Sequence, residues 1–161
     1  LVASDAGAGE FASNPGRFNV HDALPFRVIV EYAHNTEALE AAARFARACE
    51  VAGQRLAVLW TMGNRVDAHY TALAHAASGG FDRFVCTEPA DPRGRPAGDI
   101  SWRLGRGLKE AGVAEDRIDV VPAEDEAVAH ALAIARPGDL LMICCSDFER
   151  TWQQITSVQS E

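Results

Sequence analysis

The chain has 161 residues, 48% hydrophobic and 24% charged, with 23 acidic against 15 basic side chains and a formal charge of −8. That length suits one domain with a core of its own, and the composition excludes a disordered or fibrous chain. The acidic surplus repels a phosphate backbone and argues against nucleic-acid binding, and no apolar stretch approaches the length of a membrane span.

The sequence opens on Leu1 rather than Met, which points to a processed chain or a domain cut from a longer one. Residues 1–16 are small and polar, end in Asn14-Pro15-Gly16, and read as an entry linker to a domain over residues 17–161. They lack the basic start and apolar core of a signal peptide, so a cytoplasmic chain is expected. From Phe26, FRVIVEY is β-branched and apolar behind Pro25 and predicts a buried strand. Asn35 is placed to cap the next helix, which carries the apolar stripe Leu39, Ala42, Ala43 and Ala46 and ends at Gly53. RLAVLWT is a second strand, residues 66–77 a second helix closed by Gly79-Gly80, and FDRFVCT a third strand. TEPADPRGRPAGD is rich in Pro, Gly and Arg and reads as an irregular loop before a helix over residues 100–111. RIDVV, AEDEAVAHALAIA, GDLLMICC and FERTWQQI then alternate as strand, helix, strand and short helix. Elements taking turns at these lengths specify one α/β domain with a mainly parallel sheet.

Cys49, Cys86, Cys144 and Cys145 form no CxxC and lack metal-ligand spacing, so they read as buried reduced thiols. No metal site is expected. Lys109 is the only lysine, and the arginine excess has two readings, a coding bias or carboxylate and phosphate recognition.

Open parallel sheets gather ligands beyond the carboxyl ends of their strands. The predicted strand tips hold Glu31, His34, Asn35, Asn64, Arg65, Glu88, Asp91, Arg93, Arg95 and Asp99. In EYAHN, an acid, an imidazole and an amide precede a helix N-terminus, an arrangement suited to hydroxyl or phosphate groups. It suits equally an Asn35 that merely caps and a His34 that merely fills a turn. PRGRPAGD places two arginines about a glycine, either a bidentate grip on an anion or a solvated loop. No GxxxxGK[ST] or GxGxxG occurs, so the main signature of a free-standing nucleotide hydrolase or dinucleotide dehydrogenase is missing. His69, His75 and His130 fall on predicted helices, and Trp60, Trp102 and Trp152 read as packing residues. Cys145-Ser146-Asp147 lacks a base at fixed spacing and reads as core rather than nucleophile.

Taken in order, NPGRFNV, VIVEYAHN, the GNR turn, PRGRPAGD and PAEDEAVAHALAIARPGDLLMI resemble the C-terminal domain of the Mur ligase family. Within that family, the cyanophycin synthetase branch is the most similar. The resemblance runs from about Asn14 to Asp147 and implies a Rossmann-like three-layer α/β fold. It also implies one lobe of an ATP-dependent carbon–nitrogen ligase, in which ATP phosphorylates a carboxylate and an amine attacks the acyl phosphate. In that branch, arginine is joined to aspartate side chains of a polymer. The implied partners are the chain's own upstream ATPase domain, ATP, an acidic peptide or polymer and an amino acid. ATP and magnesium would be held mainly by that absent central domain, so the isolated chain is expected to be inactive.

By the same resemblance, Arg17, Glu31, His34 and Asn35 are nucleotide-binding, and Arg93, Arg95 and Asp99 lie on the amino-acid or interdomain side. Asn64 and Arg65 fall at an interdomain or site edge. Four positions depart from the family pattern: Glu31 replaces Asp, Thr36 proline, Asn64 the acid of GDR, and Asp99 a longer Glu. The alternative to a ligase lobe is a non-catalytic α/β binding or assembly module that kept the fold. The sequence leaves open whether copies of the chain form a homo-oligomer.

Overall fold

A computed structural model describes residues 16–158. The entry linker expected over residues 1–16 therefore lies, Gly16 apart, outside the described residues. The chain runs β1 (Asn19–His21), β2 (Arg27–Glu31), α1 (Thr36–Ala48), β3 (Arg55–Leu59), α2 (Asp67–Ser78) and β4 (Arg83–Glu88). It continues with α3 (Asp99–Glu110), β5 (Ile118–Ala123), α4 (Glu124–Ile134), β6 (Leu140–Cys144) and α5 (Phe148–Ser157). The strands form one six-stranded sheet in the order β1-β2-β6-β3-β4-β5. Among the described strands, only the β1–β2 pair is antiparallel.

Side chains alternate across the strands, so the apolar runs feed two separate cores. Ile29, Ala57, Leu59, Phe84 and Met142 pack on the side of α1, α2 and α3. Val28, Val30, Leu56, Val58, Val85 and Ile143 pack on the side of α4. The result is the expected three-layer α/β domain. Helix α1 begins where the sequence predicts, with Asn35 Oδ1 accepting the Ala38 N–H at 2.9 Å and Glu37 in the first turn. Its stripe of Leu39, Ala42, Ala43 and Ala46 is buried as expected.

Three details differ from the sequence reading. β1 is a strand that the pattern does not announce, because three residues give no run and only pairing with β2 orders them. Helix α1 stops at Ala48 with Cys49 as its cap, well before Gly53. Gly53 instead lets the backbone pass beneath Asp139, where an added Cβ would lie 2.1 Å from Oδ1. Cys49 is only half-buried, whereas Cys86, Cys144 and Cys145 are interior. Pro122 lies in β5, at the sheet edge, where a missing N–H costs no internal ladder bond.

Candidate functional site

The order of the sheet places β6 between β2 and β3, so the chain crosses over β6 between those two strands. Such a switch opens a crevice beyond the strand ends, and the predicted site residues lie along that edge. At the tip of β2, Glu31 is half-buried and its carboxylate accepts the Phe18 N–H at 2.8 Å. Burial pushes its carboxyl up, while the Phe18 and Tyr32 N–H groups and Arg17 pull it back. The 16–18 segment is tied down beside it, since Tyr32 N–H donates to the Gly16 carbonyl at 2.7 Å. Arg17 is exposed.

His34 is half-buried and its Nδ1 lies 2.9 Å from the Tyr32 carbonyl. Its ring stands 4.9 Å from Tyr32 and 5.3 Å from Trp60, centroid to centroid. Trp60 is buried and packs, while Tyr32 keeps an exposed face. Thr61, at the end of β3, donates its hydroxyl to the His34 carbonyl at 2.8 Å, joining the two strand tips. Burial first, and then Arg65 and His34, hold His69 below the ordinary imidazole range on the far side of Thr61.

The edge continues through the 63–65 turn. Asn64 and Arg65 are exposed there. Gly63 touches the next loop so closely that a Cβ would fall 1.8 Å from the Pro92 carbonyl oxygen. The two arginines of PRGRP have opposite surroundings. Arg93 is exposed, in a left-handed conformation (φ 49°), and its guanidinium has no hydrogen-bond partner among the described residues. Arg95 is sequestered: Nη1 donates to Asp99 at 2.9 Å, Nη2 donates to Asp67 at 2.9 Å, and its Cζ lies 4.7 Å from the Tyr70 centroid. Asp99 also accepts from Arg103 at 2.9 Å, and these bonds hold its carboxyl below the usual range.

A cleft of about 360 Å³ lies further along, at the ends of β4, β5 and β6. Among the described residues, Glu88, Glu124, Asp125 and Asp147 line it against one cation, Arg150, so it is acidic. Glu88 and Glu124 are the site-edge residues whose roles spacing does not reveal. Glu88 is 6% exposed and accepts the Gly98 and Ser101 N–H groups, closing the N-terminus of α3 from within. Glu124 does the same for α5, accepting from Ser146 and Asp147. Glu88 is legible in the sequence as a polar residue at a strand tip, but its partner Ser101 comes only from the fold. The cysteines take no part: burial pushes the Cys86 and Cys145 thiols up to about 12. Among the described residues, no three His, Cys, Asp or Glu side chains converge as a metal site. No described helix is long and apolar enough to cross a membrane.

The profile of the Mur ligase glutamate ligase domain matches residues 16–146, the span from the Gly16 segment through the end of β6. The chain belongs to the Mur ligase family. The cyanophycin synthetase of Trichormus variabilis is 30% identical to this Mur ligase domain over 132 residues, 82% of the chain and 14% of that protein. The UDP-N-acetylmuramyl-tripeptide synthetase of Deinococcus radiodurans is 33% identical over 156 residues, 94% of the chain and 31% of that protein. Among solved structures, a UDP-N-acetylmuramoyl-L-alanyl-D-glutamate–2,6-diaminopimelate ligase superposes with a TM-score of 0.68 at 25% identity. That match covers 81% of this chain and 26% of the other. E. coli FolC in complex with DHPP and ADP shares the fold, with a TM-score of 0.65 at 22% identity over 89% of this chain and 31% of its own. This Mur ligase domain thus spans only a small part of the cyanophycin synthetases it matches.

Proposed function

We propose that this chain is the C-terminal lobe of an ATP-dependent carbon–nitrogen ligase, closing over a separate ATPase domain of the same protein. The observation that carries the reading is the continuous polar edge from Glu31 through Thr61 and Gly63 to the Arg93 loop, within a Mur ligase domain. In the reaction, ATP passes its γ-phosphoryl group to a carboxylate and ADP leaves. The amine then attacks the acyl carbon, phosphate departs and the nitrogen loses a proton. Catalytic groups and magnesium are assigned to the other domain. This lobe supplies contacts and shuts out water.

On this reading the nucleotide meets Arg17, Glu31, His34 and Asn35. The exposed Tyr32 face beside His34 suits a purine, and the Glu31 carboxyl group suits ribose hydroxyls. Arg93, Arg95 and Asp99 form the substrate side, with Arg93 free to grip a carboxylate and Asn64 and Arg65 at its margin. The acidic cleft suits an incoming amine. By likeness to cyanophycin synthetase, the pair joined is an aspartate-rich acidic polymer and arginine, in the cytoplasm.

A second reading, a non-catalytic module that kept the fold, draws on the Arg95–Asp99 pair, which neutralises two of the assigned side chains. One assay separates the two. The full-length protein carrying this domain is given ATP, an aspartate-rich peptide and arginine, and ADP release is followed. The ligase reading expects peptide-dependent turnover that Arg93→Ala and Asn35→Ala each cut at least about tenfold. Unchanged turnover in both variants removes the site assignment, and no turnover with any acidic peptide and amino acid removes the ligase.

A further inference from the structure

We infer that Arg95 is a positioning residue, the latch that makes the 63–65 turn and the 91–99 loop one rigid body. It thereby presents Arg93 to a ligand without touching the ligand itself. The inference rests on the reading above only in taking Arg93 as the ligand-facing group.

The geometry is unusually complete. Arg95 Nε donates to the Gly63 carbonyl at 2.9 Å, and Nη2 donates to the Arg65 carbonyl at 2.6 Å. The remaining bonds reach Asp67 at the start of α2 and Asp99 at the start of α3. One planar fork therefore ties a turn, a loop and two helix starts together, which suits the rigid donor geometry of guanidinium. Its side chain is 19% exposed, too enclosed for a second anion to displace four partners.

Tyr70 completes the latch from beneath. Its ring carries the Arg95 guanidinium, and its hydroxyl lies 3.1 Å from both the Met62 and Gly63 carbonyls. The carbonyls of residues 62, 63 and 65 are thus all held by two side chains. The loop is held in turn by the close contact of Gly63 with Pro92. Above it, Arg93 and Gly94 both adopt left-handed backbone, and Asp91 Oδ1 accepts the Arg93 N–H at 2.9 Å. These restraints raise Arg93 out of the surface while Arg95 stays in. Lysine has no plane to stack and a single nitrogen, so it cannot span the same acceptors.

The test uses Arg95→Lys, which keeps the charge, beside Arg93→Ala and Tyr70→Phe. Amide hydrogen exchange on the 161-residue chain is expected to rise about tenfold or more over residues 62–67 and 91–99 together in Arg95→Lys. Tyr70→Phe should loosen residues 62–67, and Arg93→Ala should leave both segments at the wild-type rate. In the full-length protein, Arg95→Lys and Arg93→Ala should each raise KM for the amine or acid they affect. The double variant should be no worse than Arg93→Ala alone, because Arg95 acts through Arg93. Exchange confined to residues 91–99 in Arg95→Lys overturns the latch. KM losses that multiply in the double variant overturn it too, since they make Arg95 an independent contact. A full-length protein without ligase activity fails the earlier reading, while the exchange experiment still decides this one.

Discussion

Glu124, the first residue of α4, accepts both the N–H and the hydroxyl of Ser146 at the end of β6, at 2.9 and 2.7 Å. Its other oxygen takes the Asp147 N–H at 2.8 Å. A side chain of the protein thus occupies the start of α5, where the helix would otherwise draw an external anion. Charge-assisted bonds to a half-buried carboxylate contribute more than neutral ones. Glu124→Ala should lower the unfolding free energy by about 2–3 kcal/mol, and Glu124→Gln by about 1–2 kcal/mol. Urea denaturation reads both values, and an alanine variant as stable as wild type would show the carboxylate to be dispensable.

Gly63 has no room for a side chain, since the obstacle is the Pro92 backbone carbonyl and not a flexible tip. Gly63→Ala should cost about 1–3 kcal/mol, the range for overpacking, with the damage centred on the 63–65 turn and the 91–99 loop. Thermal unfolding gives the loss, and nuclear magnetic resonance shifts show where it falls. Shifts spread evenly over the domain would be the wrong outcome.

Thiol chemistry separates the four cysteines. Cys49 is half-buried at the end of α1, whereas Cys86, Cys144 and Cys145 are buried with thiols pushed up by desolvation. Since the thiolate is the reactive form, a disulfide reagent at mild alkaline pH should label one thiol per native chain. The other three should appear only after denaturation. Rapid labelling of more than one would contradict the packing.

Asp99 and Asp119 contribute to the acid side of the stability curve. Arg103 and Arg95 hold Asp99 low. Burial pushes Asp119 up, but hydrogen bonds from His130 and Arg83 outweigh it and hold that carboxyl low as well. A depressed folded pKa means that the unfolded chain takes up protons first on acidification. The stabilisation is complete above the ordinary value of about 4 and is lost as pH falls through the folded value. Wild-type midpoints should therefore drop below about pH 4, and Asp99→Asn combined with Asp119→Asn should flatten that drop. Glu31 has the opposite sign, because its folded pKa is raised: its ionisation costs stability as pH rises from the ordinary value through the folded one. Glu31→Gln should remove that slope, and circular dichroism melts across pH 3–7 read both effects.

Much of the fold is legible because burial is periodic. Val28-Ile29-Val30 and Leu141-Met142-Ile143 are apolar on every residue, which only a strand covered on both faces requires. Asn35 announces its cap through residue type and position. β1 is not legible, since three residues carry no period of their own. At the site, EYAHN and PRGRP mark themselves by polarity at strand tips. What they cannot disclose is partnership, and so Arg93 and Arg95 look alike in sequence and have opposite surroundings.

The sequence by itself determined the alternation of strand and helix, the apolar faces and the Mur ligase motifs, because these depend on local spacing. Tertiary structure alone decided the insertion of β6 between β2 and β3, and with it the crevice. It also decided that Glu88 and Glu124 turn inward to close helix ends, and that Asp67 and Asp99 claim Arg95. Apart from Arg95 and Asp99, four residues apart, those pairings join residues ten or more positions apart in the chain, and a charge has no preferred partner until folding sets the distances and removes the water between them.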